Sequence, residues 1–193
     1  MSGDGRVTAG QAGDDIVRFL KPLVPVSELD TAELPVVRLE PGRVEALAEL
    51  GARRARDGRG TIPNHERGAL GEYAVAKHLD VTGEFDTEIY EGGDPGFDLR
   101  YRGMRVDVKT VGPRVNNPRL HVSTHGELAA DYYILVQQLN RREYRVFGCA
   151  PRPVVRRSST FKFSRSRKLW PDRHGDEVYV VEQDRLSPIA RLG

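Results

Sequence analysis

The stretch GGDPGFDLRYRGMRVDVKT, residues 92–110, limits what this chain can fold into more than any other. Gly92, Gly93, Pro95 and Gly96 force a tight turn region. Phe97–Tyr101 and Met104–Val111 then predict two strands joined at Arg102-Gly103, a pair suited to a short hairpin turn. Side chains two apart on a strand share a face. Asp107 and Lys109 therefore project together, while Val106 and Val108 form the apolar opposite face. Asp98 precedes the turn and Asp107 follows it, so the two acids are expected to approach each other across the sheet.

Around this hairpin the pattern alternates between helix and strand. HERGALGEYAVAKHL (65–79) spaces Leu70, Tyr73, Ala74 and Leu79 as a helix does. Phe85–Tyr90 alternates like a strand. Asp131–Leu139 holds the apolar run YYILV of a buried strand. Tyr144–Cys149 and Val178–Glu182 predict two more strands, and residues 123–130 a short helix. Upstream, residues 1–13 are small and polar, and are expected to be disordered. A short helix is predicted over Asp14–Lys21, ending before Pro22. Prolines 22, 25, 35 and 41 mark extended connectors. Val44, Leu47, Ala48 and Gly51 line a second helix that closes in Arg53, Arg54 and Arg56, where cations suit the exposed carbonyls. The division expected is an N-terminal extension over 1–60, partly disordered with two short helices, and an α/β domain over 61–193.

Composition excludes several classes. With 193 residues and 38% hydrophobic content the chain can build a core. No run approaches the length of a membrane span, and the N-terminus lacks the apolar centre of a signal peptide. The single cysteine, Cys149, excludes an internal disulfide, and no Cys/His cluster has zinc spacing. A soluble cytoplasmic protein is expected. Formal net charge is +2, but its distribution is uneven. Arg152, Arg156, Arg157, Lys162, Arg165, Arg167, Lys168 and Arg173 face one acid, Asp172, between Pro151 and Arg173, which leaves the remainder net acidic. That asymmetry points to a polyanionic partner. Phe161, Phe163 and Trp170 interleave the cations and could stack on unpaired bases. The plainer alternative tucks both phenylalanines into the core and leaves the cations in water.

Two carboxylates and an ammonium on one face carry an electrostatic cost. A divalent cation removes it, because magnesium prefers one or two carboxylates completed by water and a substrate phosphate. Such a site would acidify a water and neutralise charge at phosphorus, with Lys109 positioned to orient that water or stabilise the transition state. Mn²⁺ is the natural substitute.

Together these residues resemble the core of the PD-(D/E)xK nuclease superfamily, which includes restriction enzymes and archaeal-type Holliday junction resolvases. Asp98, Asp107, Val108 and Lys109 match its acid, acid-x-lysine pattern. Gly68 and Glu72 match the helical Gly-x-x-x-Glu of the resolvase-like branches. The resemblance covers about residues 66–148 and departs from the pattern at Phe97, where the eponymous proline would stand; Asp94-Pro95 makes Asp94 a second candidate for the first acid. It implies a restriction-endonuclease-like αβββαβ core, a mixed sheet flanked by helices. It further implies that Glu72, Asp98, Asp107 and the Val108 carbonyl ligate Mg²⁺, and that Lys109 is the catalytic lysine. The activity implied is Mg-dependent DNA endonuclease chemistry in a resolvase-like, restriction or DNA-processing role, possible as a homodimer where two strands are cut. The alternative is a catalytically weak nucleic-acid- or protein-binding module on a nuclease fold.

Arg114, Asn116, Asn117 and Arg119 form a polar loop beside the motif. Arg114 and Arg119 are expected to contact nucleic acid together with Arg156, Arg157, Lys162, Arg165, Arg167 and Lys168. His121 and His125 are either phosphate contacts or ordinary loop residues. Gln137 either faces the site or is a satisfied core amide. Glu66 rivals Glu72 but better suits the first turn of its helix. Tyr73, Tyr132 and Tyr133 are most simply core residues.

Overall fold

The computed structural model describes residues 31–57, 61–85, 87, 96–163 and 177–192. The helix expected over 14–21, most of the strand over 85–90, Asp94, Arg165, Arg167, Lys168 and Trp170 lie outside the described residues.

The chain is an α/β fold built on a mixed five-stranded sheet in the order β1-β6-β5-β3-β2. Its strands are β1 (Val36–Arg38), β2 (Leu99–Tyr101), β3 (Met104–Val111), β5 (Tyr132–Gln138) and β6 (Glu143–Pro151). Only β3 and β5 run parallel, with Asp107 beside Tyr133 and Lys109 beside Leu135. The expected hairpin is present: β2 and β3 pair antiparallel with Leu99 opposite Val106. Its turn holds Arg102 at φ 49° and Gly103 at φ 79°. Two consecutive positive φ values give a turn whose twist matches the flanking strands.

Helices α1 (Pro41–Asp57) and α2 (Ile62–His78) cover one face of this sheet. Val44, Leu47 and Leu50 of α1 join Leu70, Tyr73 and Ala74 of α2 over Val106, Val108, Ile134 and Val136 in a single core. Two glycines set the spacing of these layers. A Cβ on Gly51 would lie 2.5 Å from the Glu66 Cα, so α1 crosses α2 backbone to backbone. A Cβ on Gly71 would lie 2.0 Å from Thr110 Oγ1, so α2 rests directly on β3.

The opposite face is covered differently from expectation. Residues 123–130 form no helix; Gly126, at φ 80°, interrupts any helical run there. The connection from β3 to β5 instead contributes β4 (Leu120–Ser123) to a second, three-stranded antiparallel sheet in the order β4-β8-β7. Its other strands are β7 (Ser159–Lys162) and β8 (Glu177–Val181). Leu120, Val122 and Val181 pack with Tyr133, Leu135 and Ala150, and with Val155 of the short helix α3 (Arg152–Arg156). The order is therefore not αβββαβ, since a strand of the second sheet replaces the crossover helix.

Residues 31–57 do not stand apart as an extension. β1 is an edge strand paired with β6, and α1 shares the core of α2. Leu39 and Val44, at 1% and 3% exposure, are buried in the same core as residues of the later segments, so the described part of 1–60 belongs to the same body.

Replacing Gly51 by Ala must displace backbone, and destabilisation of about 1–3 kcal/mol is expected from such overpacking. Gly42→Ala, which meets nothing within 4 Å, leaves stability unchanged or raised. Urea unfolding of the two variants beside the parent checks this; equal midpoints for all three would contradict the close crossing.

Candidate metal centre

The site grows from the edge of β3 where β2 ends. Asp98 donates its backbone N–H to the Val106 carbonyl at 2.8 Å, continuing the hairpin by one bond. Beyond that the side chain takes over from the strand: Val108 donates its N–H to Asp98 Oδ2 at 2.6 Å. In extended backbone the N–H and C=O of one residue point to the same edge, so the Val108 carbonyl is directed to the edge at which Asp98 stands.

Asp107 and Lys109 share a face of β3, as the period-two pattern requires. Lys109 Nζ lies 2.6 Å from Asp107 Oδ1. Asp107 is buried, whereas the Lys109 side chain keeps 37% of its surface in solvent. Tyr133, beside Asp107 on β5, has its phenol pushed above its ordinary value by burial and then by the Asp107 charge.

Glu72 comes from α2 on the other side of the sheet, at the residue following Gly71. Arg54 of α1 donates to Glu72 Oε2 at 2.8 Å, an ion pair with both side chains largely buried. A Cβ on Gly68 would sit 3.4 Å from Glu72 Oε1, which gives the Gly-x-x-x-Glu spacing a physical sense: the glycine leaves room for the carboxylate.

These groups meet at Asp98. Burial first, then the charges of Glu72 and Asp107, push the Asp98 carboxyl well above its ordinary value, against the opposing effects of Lys109 and the Val108 N–H. One acid thus senses a carboxylate from α2, a second from β3 and the lysine. The charges of Glu72, Asp107 and Lys109 all reach the Asp98 carboxyl.

Among the described residues no group of three or more His, Cys, Asp or Glu side chains is arranged to hold a metal ion. Glu72 is paired with Arg54 and Asp107 with Lys109. The donor chemistry nonetheless suits a hard divalent ion, because magnesium needs only one or two carboxylates with water and phosphate. Asp98 and Asp107, with the Val108 carbonyl, would hold it, while Glu72, expected as a further ligand, is paired with Arg54.

Other expected site residues fall elsewhere. Arg119 pairs with Glu182 at 3.0 Å and Gln183 donates to Asn117 Oδ1 at 3.1 Å, so the polar loop is tied to the end of β8. Arg114, Arg156, Arg157 and Lys162 are exposed. Gln137 donates to the Val115 carbonyl at 2.8 Å and is a satisfied core amide. His121 packs edge-to-face on Phe163, with ring centroids 6.0 Å apart, on the outer face of the second sheet. Phe163 is buried and Phe161 is 45% exposed. Cys149 is buried, and its thiol is pushed up to about 12, so it is an inert core residue. Arg54 was not legible as part of the site, because only the α1–α2 crossing carries it to Glu72.

Comparison with family models, with curated proteins and with solved structures returns no match. No helix among the described residues is long and apolar enough to cross a membrane.

The raised Asp98 carboxyl has a thermodynamic consequence. Between its unfolded and folded pKa the folded protein binds more protons, so stability falls as pH rises through that interval. Below the ordinary carboxylate range the penalty is absent; above the folded pKa it is complete. Asp98→Asn keeps an acceptor for Val108 and removes the charge. It is expected to unfold at higher denaturant than the parent at about pH 7, and to lose most of this pH dependence. A variant less stable than the parent there would contradict the crowding of charges.

Proposed function

We propose that this chain is a divalent-metal-dependent phosphodiesterase that cuts DNA, with acids and a lysine in the PD-(D/E)xK pattern on a different arrangement of elements. One observation carries the reading: Asp98 accepts from the Val108 N–H at the edge of β3, where the charges of Glu72 and Asp107 bear on it and Lys109 rests on Asp107. A fold gains no stability from such crowding, whereas hydrolysis of a phosphodiester uses it.

In this reading Asp98, Asp107 and the Val108 carbonyl hold Mg²⁺, or Mn²⁺ in its place. When bound, the ion supplies positive charge at the scissile phosphate and acidifies a water. Lys109 leaves Asp107 for the substrate, where its ammonium orients the attacking water and balances the charge that grows on phosphorus. Asp107 fixes where Lys109 rests before substrate arrives. Glu72 adds negative potential behind Asp98, and Arg54 holds it in place. Arg114, Arg156, Arg157 and Lys162, all exposed, supply cations for the DNA backbone.

A second reading is favoured by the same two cations. Arg54 and Lys109 already neutralise Glu72 and Asp107, so the charges balance largely without metal, as a recognition module that binds nucleic acid but does not cut would require.

Labelled single-stranded, duplex, flap and four-way-junction DNA separates the two readings. Cleavage is expected with Mg²⁺ or Mn²⁺, abolished by EDTA, and reduced by about 10²-fold or more in Asp107→Ala and Lys109→Ala, as removal of a charge-stabilising group does. Binding without cleavage, indifferent to metal, would replace the hydrolase with the recognition module.

A further inference from the structure

One register step from Asp107, at the opposite end from Lys109, a row of charged side chains crosses the main sheet. Arg100 on β2 stands directly opposite Arg105 on β3. The Arg105 N–H donates to Asp131 Oδ2 at 3.0 Å, and its guanidinium lies 3.6 Å from Asp131 Oδ1. Arg152, at the start of α3, donates to the same Oδ1 at 2.8 Å and to the Leu128 carbonyl at 3.3 Å. Two guanidiniums therefore meet a single carboxylate, which the Arg105 N–H and then the Arg105 and Arg152 charges hold below its ordinary range.

The row shares its face with the candidate centre. Alternation along β3 puts Arg105, Asp107 and Lys109 on one side, and an interval of two residues on a strand is about 6.6 Å. Like charges opposite one another across two strands are unfavourable, and Asp131 is committed to Arg105 and Arg152. Arg100 is exposed, its guanidinium 4.9 Å from the centre of the Phe97 ring. The stacked ring holds the guanidinium in place and leaves its donors for another partner.

We propose that Arg100, Arg105 and Arg152 form a phosphate-binding site that grips the nucleic-acid backbone beside the scissile bond. The site rests on the function proposed above for Asp98, Asp107 and Lys109, and adds to it the direction in which the strand leaves the centre. Arginine suits the task because its planar fork binds phosphate with two parallel donors. The excess of cations over Asp131 supplies the attraction, and Asp131 fixes the orientation of two of the three guanidiniums.

Arg100 is the residue to change, since Arg105 and Arg152 also tie β3, β5 and α3 together through Asp131. The measurement is binding of a fluorescein-labelled DNA duplex across a salt series, in EDTA so that nothing is cut. Each phosphate contact contributes about 0.9 to the slope of log affinity against log salt. Arg100→Ala is expected to make that slope shallower by about this amount, Arg100→Lys to restore most of it, and Arg53→Ala, on the α1 side of the fold, to leave it unchanged. A parental slope in Arg100→Ala, or no binding of the duplex by the parent, would overturn the proposal. Its failure is distinct from failure of the hydrolase: a parental slope beside metal-dependent cutting sinks only the phosphate site. The expected slopes in a protein that never cuts sink only the hydrolase.

Discussion

At Gly71 helix α2 lies on β3 with only the Thr110 side chain between them, and the arrangement of the site follows from that contact. Any larger residue there would meet Thr110, whose hydroxyl is buried without a hydrogen-bond partner among the described residues. Because the helix rests so low, the next residue, Glu72, is carried close enough to the edge of the sheet for its charge to reach Asp98. The crossing of α1 at Gly51 then brings Arg54 onto Glu72. Two glycines with no chemistry of their own thus determine which charges share a neighbourhood.

The resulting electrostatics are uneven. Buried carboxylates are costly unless paired, and here the pairing is incomplete by one. Arg54 takes Glu72, Lys109 takes Asp107, and Asp98 is left with a backbone N–H. The imbalance is located where Asp98 replaces the backbone of β2 as the partner of Val108, so the acid cannot move away without undoing the end of the hairpin. A divalent cation would correct it, and the same face carries guanidiniums one step along. Acids at the centre with cations beside them suit a substrate whose backbone is negative and whose reacting atom needs neutralising.

The sequence made much of this site legible and less of the fold. Asp107 and Lys109 share a face because strands alternate, a rule local enough to read directly. Asp98 could be placed because Arg102-Gly103 dictates a tight turn, which fixes the register. Glu72 was found through its spacing from Gly68. Arg54 and the Arg100–Arg105–Asp131–Arg152 row depend on contacts between distant segments, which no local pattern encodes. The second sheet was missed for a related reason. Leu120 and Val122 do alternate, but β4 is only four residues long, and the segment that follows resembles a short helix until Gly126 is seen at positive φ. β1 was hidden among prolines, which leave it fit only for the sheet edge it occupies.

The claim on which the rest turns is that Asp98 and Asp107 form a site for a hard divalent cation. Calorimetric titration of Mn²⁺ and Mg²⁺ into the parent and into Asp107→Asn tests it without depending on any substrate. The account predicts saturable binding of both ions by the parent, and its loss in the variant with the fold retained. Binding that is absent from the parent, or undiminished in Asp107→Asn, would contradict it.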